Sequence, residues 1–238
     1  MNLGHKVNKS SWFIKGLRLL EPSPPELDGA YSNLKFVASL PEFLAPPFCR
    51  FKLMTQNSSS PTNPVIENIF TRSSVRAFTG EAIPEEILKV IAEAGVHAPS
   101  GMNRQTWKFT VLTNKAKIEE LAKAVGEVLG RKGYDFYKPA ALIIPSNDKF
   151  DPEKRETQLG RDDNACALQN IFLAAHSFGI GSVWINQLQG ICGNEKIRPL
   201  LTGLGIPEEH EVFGLAALGY PKEEPHLKPR KDVITFVK

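Results

Sequence analysis

From Val65 onward the apolar positions fall into alternating helical and strand periods. Val65, Ile66, Ile69 and Phe70 predict a first helix over 65–70. Ile87, Leu88, Ile91 and Ala94 share one face of a second helix over 85–94. Pro84 suits its first turn, and Glu85 and Glu86 suit its positive end. Alternation of apolar and polar residues predicts a strand over 107–112. An amphipathic helix is expected over 115–129, and the continuous apolar run at 140–145 reads as a buried strand. A long central helix rich in Ala and Leu spans 163–178 and is ended by Gly179. Further strands are predicted over 182–186, 212–218 and 233–237, with a short helix over 196–204. The pattern is that of a packed domain mixing helices and strands, without an internal repeat.

Before residue 54 this periodicity is missing. Residues 1–53 contain prolines at 22, 24, 25, 41, 46 and 47, and their apolar positions keep neither period. Met54 is followed by Thr-Gln-Asn-Ser-Ser-Ser-Pro-Thr-Asn-Pro, a polar run that resists regular structure. The chain therefore divides into an N-terminal extension (1–60), expected to be disordered or non-native, and a folded domain (61–238). Met54 reads as a native start; a docking or targeting arm is the alternative reading of the extension.

Composition narrows the class. With 42% hydrophobic and 23% charged residues in 238, the chain is globular, which excludes wholesale disorder, collagen and coiled coil. The formal charge of +3 invites an anionic partner, but residues 1–53 hold seven of the 29 basic and four of the 26 acidic residues. The remainder carries 22 of each, so the bulk charge of the domain does not advertise nucleic-acid binding. Cys49, Cys166 and Cys192 are odd in number, widely spaced and without a CxxC pair, which supports neither a disulfide framework nor a zinc site. A reducing, cytoplasmic setting follows. No apolar run approaches the roughly 20 residues that span a bilayer, so no membrane association is expected. The stretch from Trp12 to Leu20 is broken by Lys15 and Arg18 and makes a poor signal-peptide core. Its basic and hydroxyl residues leave a transit peptide open, although acids appear by Glu21.

Four segments could carry chemistry. Arg72, Ser73, Ser74 and Arg76 follow the first helix; guanidiniums grip phosphate bidentately and hydroxyls add short donors. A basic pair at a helix end can equally complement the dipole. Pro99, Ser100, Gly101, Asn103 and Gln105 form a turn whose amides can read a ring edge carrying both donors and acceptors. The plainer reading is a capping loop with a core Trp107. Gly179-Ile180-Gly181 precedes Asn186 and Gln187, but glycines after a helix and before a strand reverse the dinucleotide-binding order. Lys228, Arg230 and Lys231 could hold a phosphate or form a solvated tail. GxSxG, Walker A and HExxH patterns are missing, and the histidines lack metal-ligand spacing. His176 and Cys166, both in the central helix, read as a satisfied core residue and as small apolar filler.

Taken in this order, the segments resemble the nitroreductase family of FMN-dependent oxidoreductases. Arg72-Ser73-Ser74-Val75-Arg76-Ala77-Phe78 looks like the family's N-terminal flavin motif. Ala98-Pro99-Ser100 with Asn103, Gln105 and Trp107 resembles its second signature. Asp163 through Asn170, Gly179 through Gln187, and Leu218-Gly219-Tyr220-Pro221 with Lys228-Pro229-Arg230 match its later segments. Two departures stand out. Ser73 occupies the place of a usual basic residue, and Thr106 that of a usual proline, which is expected to loosen the loop.

The resemblance implies an α+β (α/β sandwich) fold, with a central mixed sheet flanked by helices, in a domain-intertwined homodimer that binds FMN at the subunit interface. Arg72 and Ser74 would contact the phosphate or ribityl chain, Arg76 and Asn103 would lie by the pyrimidine edge, and Ser73 and Gln105 count among the cofactor-binding positions. Asn186 and Gln187 would lie near flavin N5, and Lys228 and Arg230 would clamp the phosphate. Pro99, Ser100 and Gly101 would come from the partner subunit. The implied activity is ping-pong hydride transfer from NAD(P)H, as co-substrate, to nitroaromatics, quinones or related acceptors. No protein group is nominated as catalytic, because the flavin carries the chemistry. Enone reduction, dehalogenation and oxidation of a bound intermediate on the same scaffold are alternatives decided by substrate loops, with 130–137 and 150–159 the candidate lid. A non-catalytic flavin-binding protein is a further alternative.

Overall fold

The computed structural model describes residues 62–238. The extension 1–60, Met54, Cys49 and the leader-like stretch lie outside the described residues.

Five helices and five strands follow in chain order. Helix α1 (Pro64–Thr71) begins where the Asn63 side chain accepts hydrogen bonds from the backbone N–H groups of Val65 and Ile66, with Pro64 in its first turn. Helix α2 (Glu85–Val96) leads to β1 (Lys108–Leu112). Helix α3 (Lys115–Val128) is capped by Asn114, whose side chain accepts from Lys117 N–H. Then come β2 (Ala141–Asp148), α4 (Gly160–Ser177), β3 (Gly181–Ile185), α5 (Arg198–Gly203), the two-residue β4 (His210–Glu211) and β5 (Leu215–Gly219).

The sheet runs β1-β2-β5-β3, with β4 paired to the end of β2. Its named strands are all antiparallel; a parallel pairing enters through the isolated bridge between Ser74 and Ser182. The α+β class with a helix-flanked sheet is as expected.

Strand β2 explains the layering. Leu142 and Ile144 face a core built with Ile118, Leu121 and Val125 of α3 and Leu201 of α5. Ala141 and Ile143 face the opposite core, with Leu88 and Ile91 of α2 and Leu168 and Ile171 of α4. Helices cover both faces, so an antiparallel strand reads as a continuous apolar run and not as an alternation. On α4, Asn164, Ala167, Leu168, Ile171, Phe172 and Ala175 are buried at helical spacing. At Gly95 a Cβ would stand 2.9 Å from side-chain carbons of Ile171 and Phe109, so glycine lets α2 approach α4 closely.

Three expectations are corrected. Residues 233–237 form no strand: Val233, Ile234, Phe236 and Val237 are exposed, and an extended segment holds its shape only against a neighbouring strand. The strand expected over 212–218 is shorter: β5 begins only at Leu215, after Gly214, where a Cβ would strike the Trp184 indole, and the two-residue β4 precedes the expected range. Cys166 is an exposed position on α4, not core filler. Helix α4 also starts three residues early, at Gly160. Among the described residues, no helix is long and apolar enough to cross a membrane.

Candidate functional site

The segment after α1 is laid across the ends of two strands. Val75 N–H donates to Ser182 O at 2.9 Å, Thr79 N–H to Tyr220 O at 3.0 Å, and Lys222 N–H to Ala77 O at 3.0 Å. Val75 packs over Gly181 and Phe78 over Gly219, where any side chain on either glycine would collide with them. Extended backbone alternates its faces, so burying Val75 leaves its neighbours Ser74 and Arg76 exposed, while Phe78 is half-buried. The Ser73 hydroxyl, one position before Ser74, is buried and has no hydrogen-bond partner.

Arg72 caps α1 and is half-buried. Burial, and then the positive charge of Arg230, hold its guanidinium below the usual arginine range. The fold therefore puts a tail residue within electrostatic range of a motif residue that the sequence separates widely. Among the described residues, neither pairs with a carboxylate. Lys228 is exposed on the same tail, two positions earlier.

A third basic side chain joins them. His176, in the last turn of α4, approaches Thr71 with its Nε2 at 2.9 Å from the threonine Oγ1. The Thr71 hydroxyl donates to Glu67 O at 2.7 Å, which leaves its lone pairs for His176 Nε2–H. Burial, then the Arg72 charge, push the His176 pKa down. The expected satisfied core histidine is thus satisfied, but it is half-buried and meets Thr71, the neighbour of Arg72. Sequence reasoning missed this role because the two partners are 105 residues apart.

The loop from Pro99 to Gln105 is strained and pinned. Met102, Asn103 and Gln105 adopt left-handed backbone, with φ of 52°, 54° and 50°. Non-glycine residues in that region persist only where surrounding structure holds them. Gly101 N–H donates to Asp163 Oδ1 at 2.9 Å, and Gly101 lies so close to Leu159 that no side chain fits. Gln105 N–H donates to Ser100 Oγ at 3.2 Å, and Gln105 Nε2 to Asn103 Oδ1 at 3.0 Å. Thr106, expected to loosen the loop, does the reverse: its hydroxyl donates to the buried Asn147 Oδ1 at 2.6 Å and ties the loop to β2. Arg104 approaches Asp148 at 3.9 Å, and the buried His210 approaches the same carboxylate at 3.8 Å.

Asn186 and Gln187 follow β3, with Asn186 N–H donating to Gln187 Oε1 at 3.1 Å. A second strained stretch holds three consecutive left-handed residues, Phe136, Tyr137 and Lys138. Phe136 is fully buried, and the Arg76 guanidinium lies 6.0 Å from the Tyr137 ring centroid, within cation–π range. Tyr137, at the end of the 130–137 segment, thus comes close to the first motif.

One chain does not gather every expected residue. Asp163, which anchors Gly101, and His176, which meets Thr71 next to Arg72 in the chain, lie thirteen positions apart on α4. At about 1.5 Å per residue that is roughly 20 Å of helix. The Pro99–Gln105 loop thus belongs to one end of α4 and the Arg72–Arg230 cluster to the other. An open cleft of about 1230 Å³ between α3 and residues 130–140 contains none of the expected site residues.

Comparison with known proteins identifies the family. A model described as "Nitroreductase family" matches residues 69–220. An NADPH-flavin oxidoreductase of Vibrio harveyi is 31% identical over 175 residues, covering 71% of this chain and 70% of that protein. Among solved structures, an FMN-bound nitroreductase of Bacteroides fragilis is 40% identical, with TM-score 0.68, covering 74% of this chain and all of that one. An FMN-bound nitroreductase of Desulfitobacterium hafniense is 29% identical, with TM-score 0.63, covering 75% of this chain and all of that one.

Proposed function

The chain belongs to the nitroreductase family, and we propose that it is an FMN-dependent oxidoreductase passing hydride from NAD(P)H to nitroaromatic, quinone or related acceptors. The observation that carries this reading is the buried and unpartnered Ser73 hydroxyl, which adjoins Arg72 in the chain, with Arg72 in turn within electrostatic range of Arg230. Two neighbouring cations without a carboxylate, and a hydroxyl without a partner, are what a phosphate ester satisfies. The residues present therefore fit the cofactor.

When bound, FMN supplies the ring that accepts hydride from NAD(P)H and hands it on, in a ping-pong cycle. The chain binds and orients. Arg72, Ser73, Ser74, Lys228 and Arg230 would hold the phosphate and ribityl chain. Arg76, Asn103 and Gln105 would face the pyrimidine edge, where a fixed cation stabilises charge that develops on reduction. Asn186 and Gln187 would border the reacting face. Tyr137, under the Arg76 guanidinium, limits where that cation can go.

A homodimer with FMN between subunits is part of the proposal. The separation along α4 supports it, since Pro99, Ser100 and Gly101 of a second copy can meet an Arg72 cluster that their own chain holds apart. The C-terminal residues support it too: Val233, Ile234, Phe236 and Val237 are 75–94% exposed, a cost that pairing with another chain removes. We set the enzyme in the cytoplasm, in keeping with the free thiols of Cys166 and Cys192.

Steady-state turnover with NADH and with NADPH, using nitrofurazone, menadione and an enone as acceptors, tests the activity. Turnover of the first two supports the reading. Turnover of the enone alone favours a different flavin chemistry on the scaffold, and turnover of none overturns it.

A further inference from the structure

Helix α1 raises a question that its sequence does not answer. It has only eight residues and buries none of them, and Val65, Ile69 and Phe70 are exposed. So short a helix is not stable by itself and must be held by its surroundings. Two side-chain hydrogen bonds tie it to α4. Asn68 Nδ2–H donates to Leu173 O at 3.0 Å, and His176 meets the Thr71 hydroxyl at 2.9 Å. Asn68 and Thr71 are three residues apart, as are Leu173 and His176, so the bonds are successive rungs of one ladder. The second rung ends at the last residue of α1, immediately before Arg72.

We propose that His176 is a positioning residue of the phosphate subsite, acting through Thr71 to aim the Arg72 guanidinium at the cofactor's phosphate. The inference rests on the FMN reading above. Thr71 is well suited to the task, because its hydroxyl donates backward to Glu67 O and accepts from His176, which fixes its rotamer from both sides. His176 lies outside all four segments that signal the site in the sequence. Its work is orientation: an arginine that is free to swing loses side-chain entropy on gripping a phosphate, and one already aimed loses less.

The test compares FMN with riboflavin, which shares the ring and lacks the phosphate. Dissociation constants of both are measured for the wild-type full chain and for His176→Ala, His176→Gln, Thr71→Val and Thr71→Ser. His176→Ala and Thr71→Val should each weaken FMN about tenfold, the worth of one well-placed hydrogen bond, and leave riboflavin unchanged. Combining the two should add little, since they break the same bond. His176→Gln and Thr71→Ser, which keep a donor and a hydroxyl, should recover most of the affinity. A general folding defect would weaken both flavins together, and that result overturns the inference. So does an unchanged preference for FMN in His176→Ala. A wild-type protein that binds FMN no better than riboflavin overturns the phosphate-site reading itself, and the inference with it.

Discussion

The guanidiniums of Arg72 and Arg230, from opposite ends of the folded domain, lie near enough that the charge of Arg230 lowers the proton affinity of Arg72. Mutual repulsion between half-buried and exposed cations is a cost to the empty protein. It becomes a gain when an anion enters between them.

Arg230→Ala should therefore separate binding from stability. Loss of one charge-assisted phosphate contact weakens FMN by about 1.5–3 kcal/mol, while the cofactor-free protein melts no lower than wild type. Flavin titration and thermal unfolding of the cofactor-free protein check the two halves. Unchanged FMN affinity would count against the phosphate role.

Gly181→Ala tests the seating of the first motif. A Cβ there stands 2.8–2.9 Å from three carbons of the buried Val75 side chain, none of them the end of a long flexible arm. Overpacking of this kind costs roughly 1–3 kcal/mol, read as a lower denaturation midpoint. Because Val75 carries Ser74 and Arg76 on either side, FMN affinity should fall as well.

Thr106→Val removes the 2.6 Å bond to Asn147 and leaves a buried amide oxygen with one fewer partner. The expected loss is about 1–2 kcal/mol of stability, measured by chemical denaturation. Faster amide exchange at 101–105 should accompany it, since the strained Asn103 and Gln105 depend on that anchor. A loop that exchanges at the wild-type rate would show that Asp163 alone suffices.

Stability should also fall on the acid side of neutrality. Burial is the largest influence on both His176 and His210, and it depresses both pKa values. An unfolded histidine titrates near 6.5, so below about that pH the unfolded chain binds more protons than the folded one. Stability is then fully present above the unfolded value and declines as pH falls, until the folded imidazoles titrate. Melting temperature should be flat just above pH 7 and drop between about pH 6.5 and 5. His176→Gln should flatten part of that drop, and a profile identical to wild type would contradict its assignment.

Much of the fold was legible because most helices and strands bury one consistent face. Ile87, Leu88 and Ile91 announced α2, and the run at 140–145 announced a doubly covered strand. The tail at 233–237 has strand-forming residues, but propensity cannot supply the neighbouring strand that a ladder needs. The left-handed run Phe136-Tyr137-Lys138 gave no signal, because none of its residues belongs to the small group that tolerates such backbone. Within the site, Arg72, Ser74 and Arg76 stood out as a local pattern. His176 did not, since its meaning comes from a helix end 105 residues away. Thr106 was legible as a departure from a motif, yet only Asn147 across the sheet reveals that a hydrogen bond secures the loop a proline would otherwise stiffen.

The most direct test of the central claim is anaerobic mixing of the purified protein with NADH or NADPH while the flavin absorption band is followed. The account predicts a yellow protein, or one that turns yellow and binds FMN stoichiometrically on soaking. One of the two nicotinamides should then bleach the band, and an added quinone should restore it. A protein that stays colourless after soaking with FMN, or whose bound flavin neither nicotinamide reduces, would contradict it.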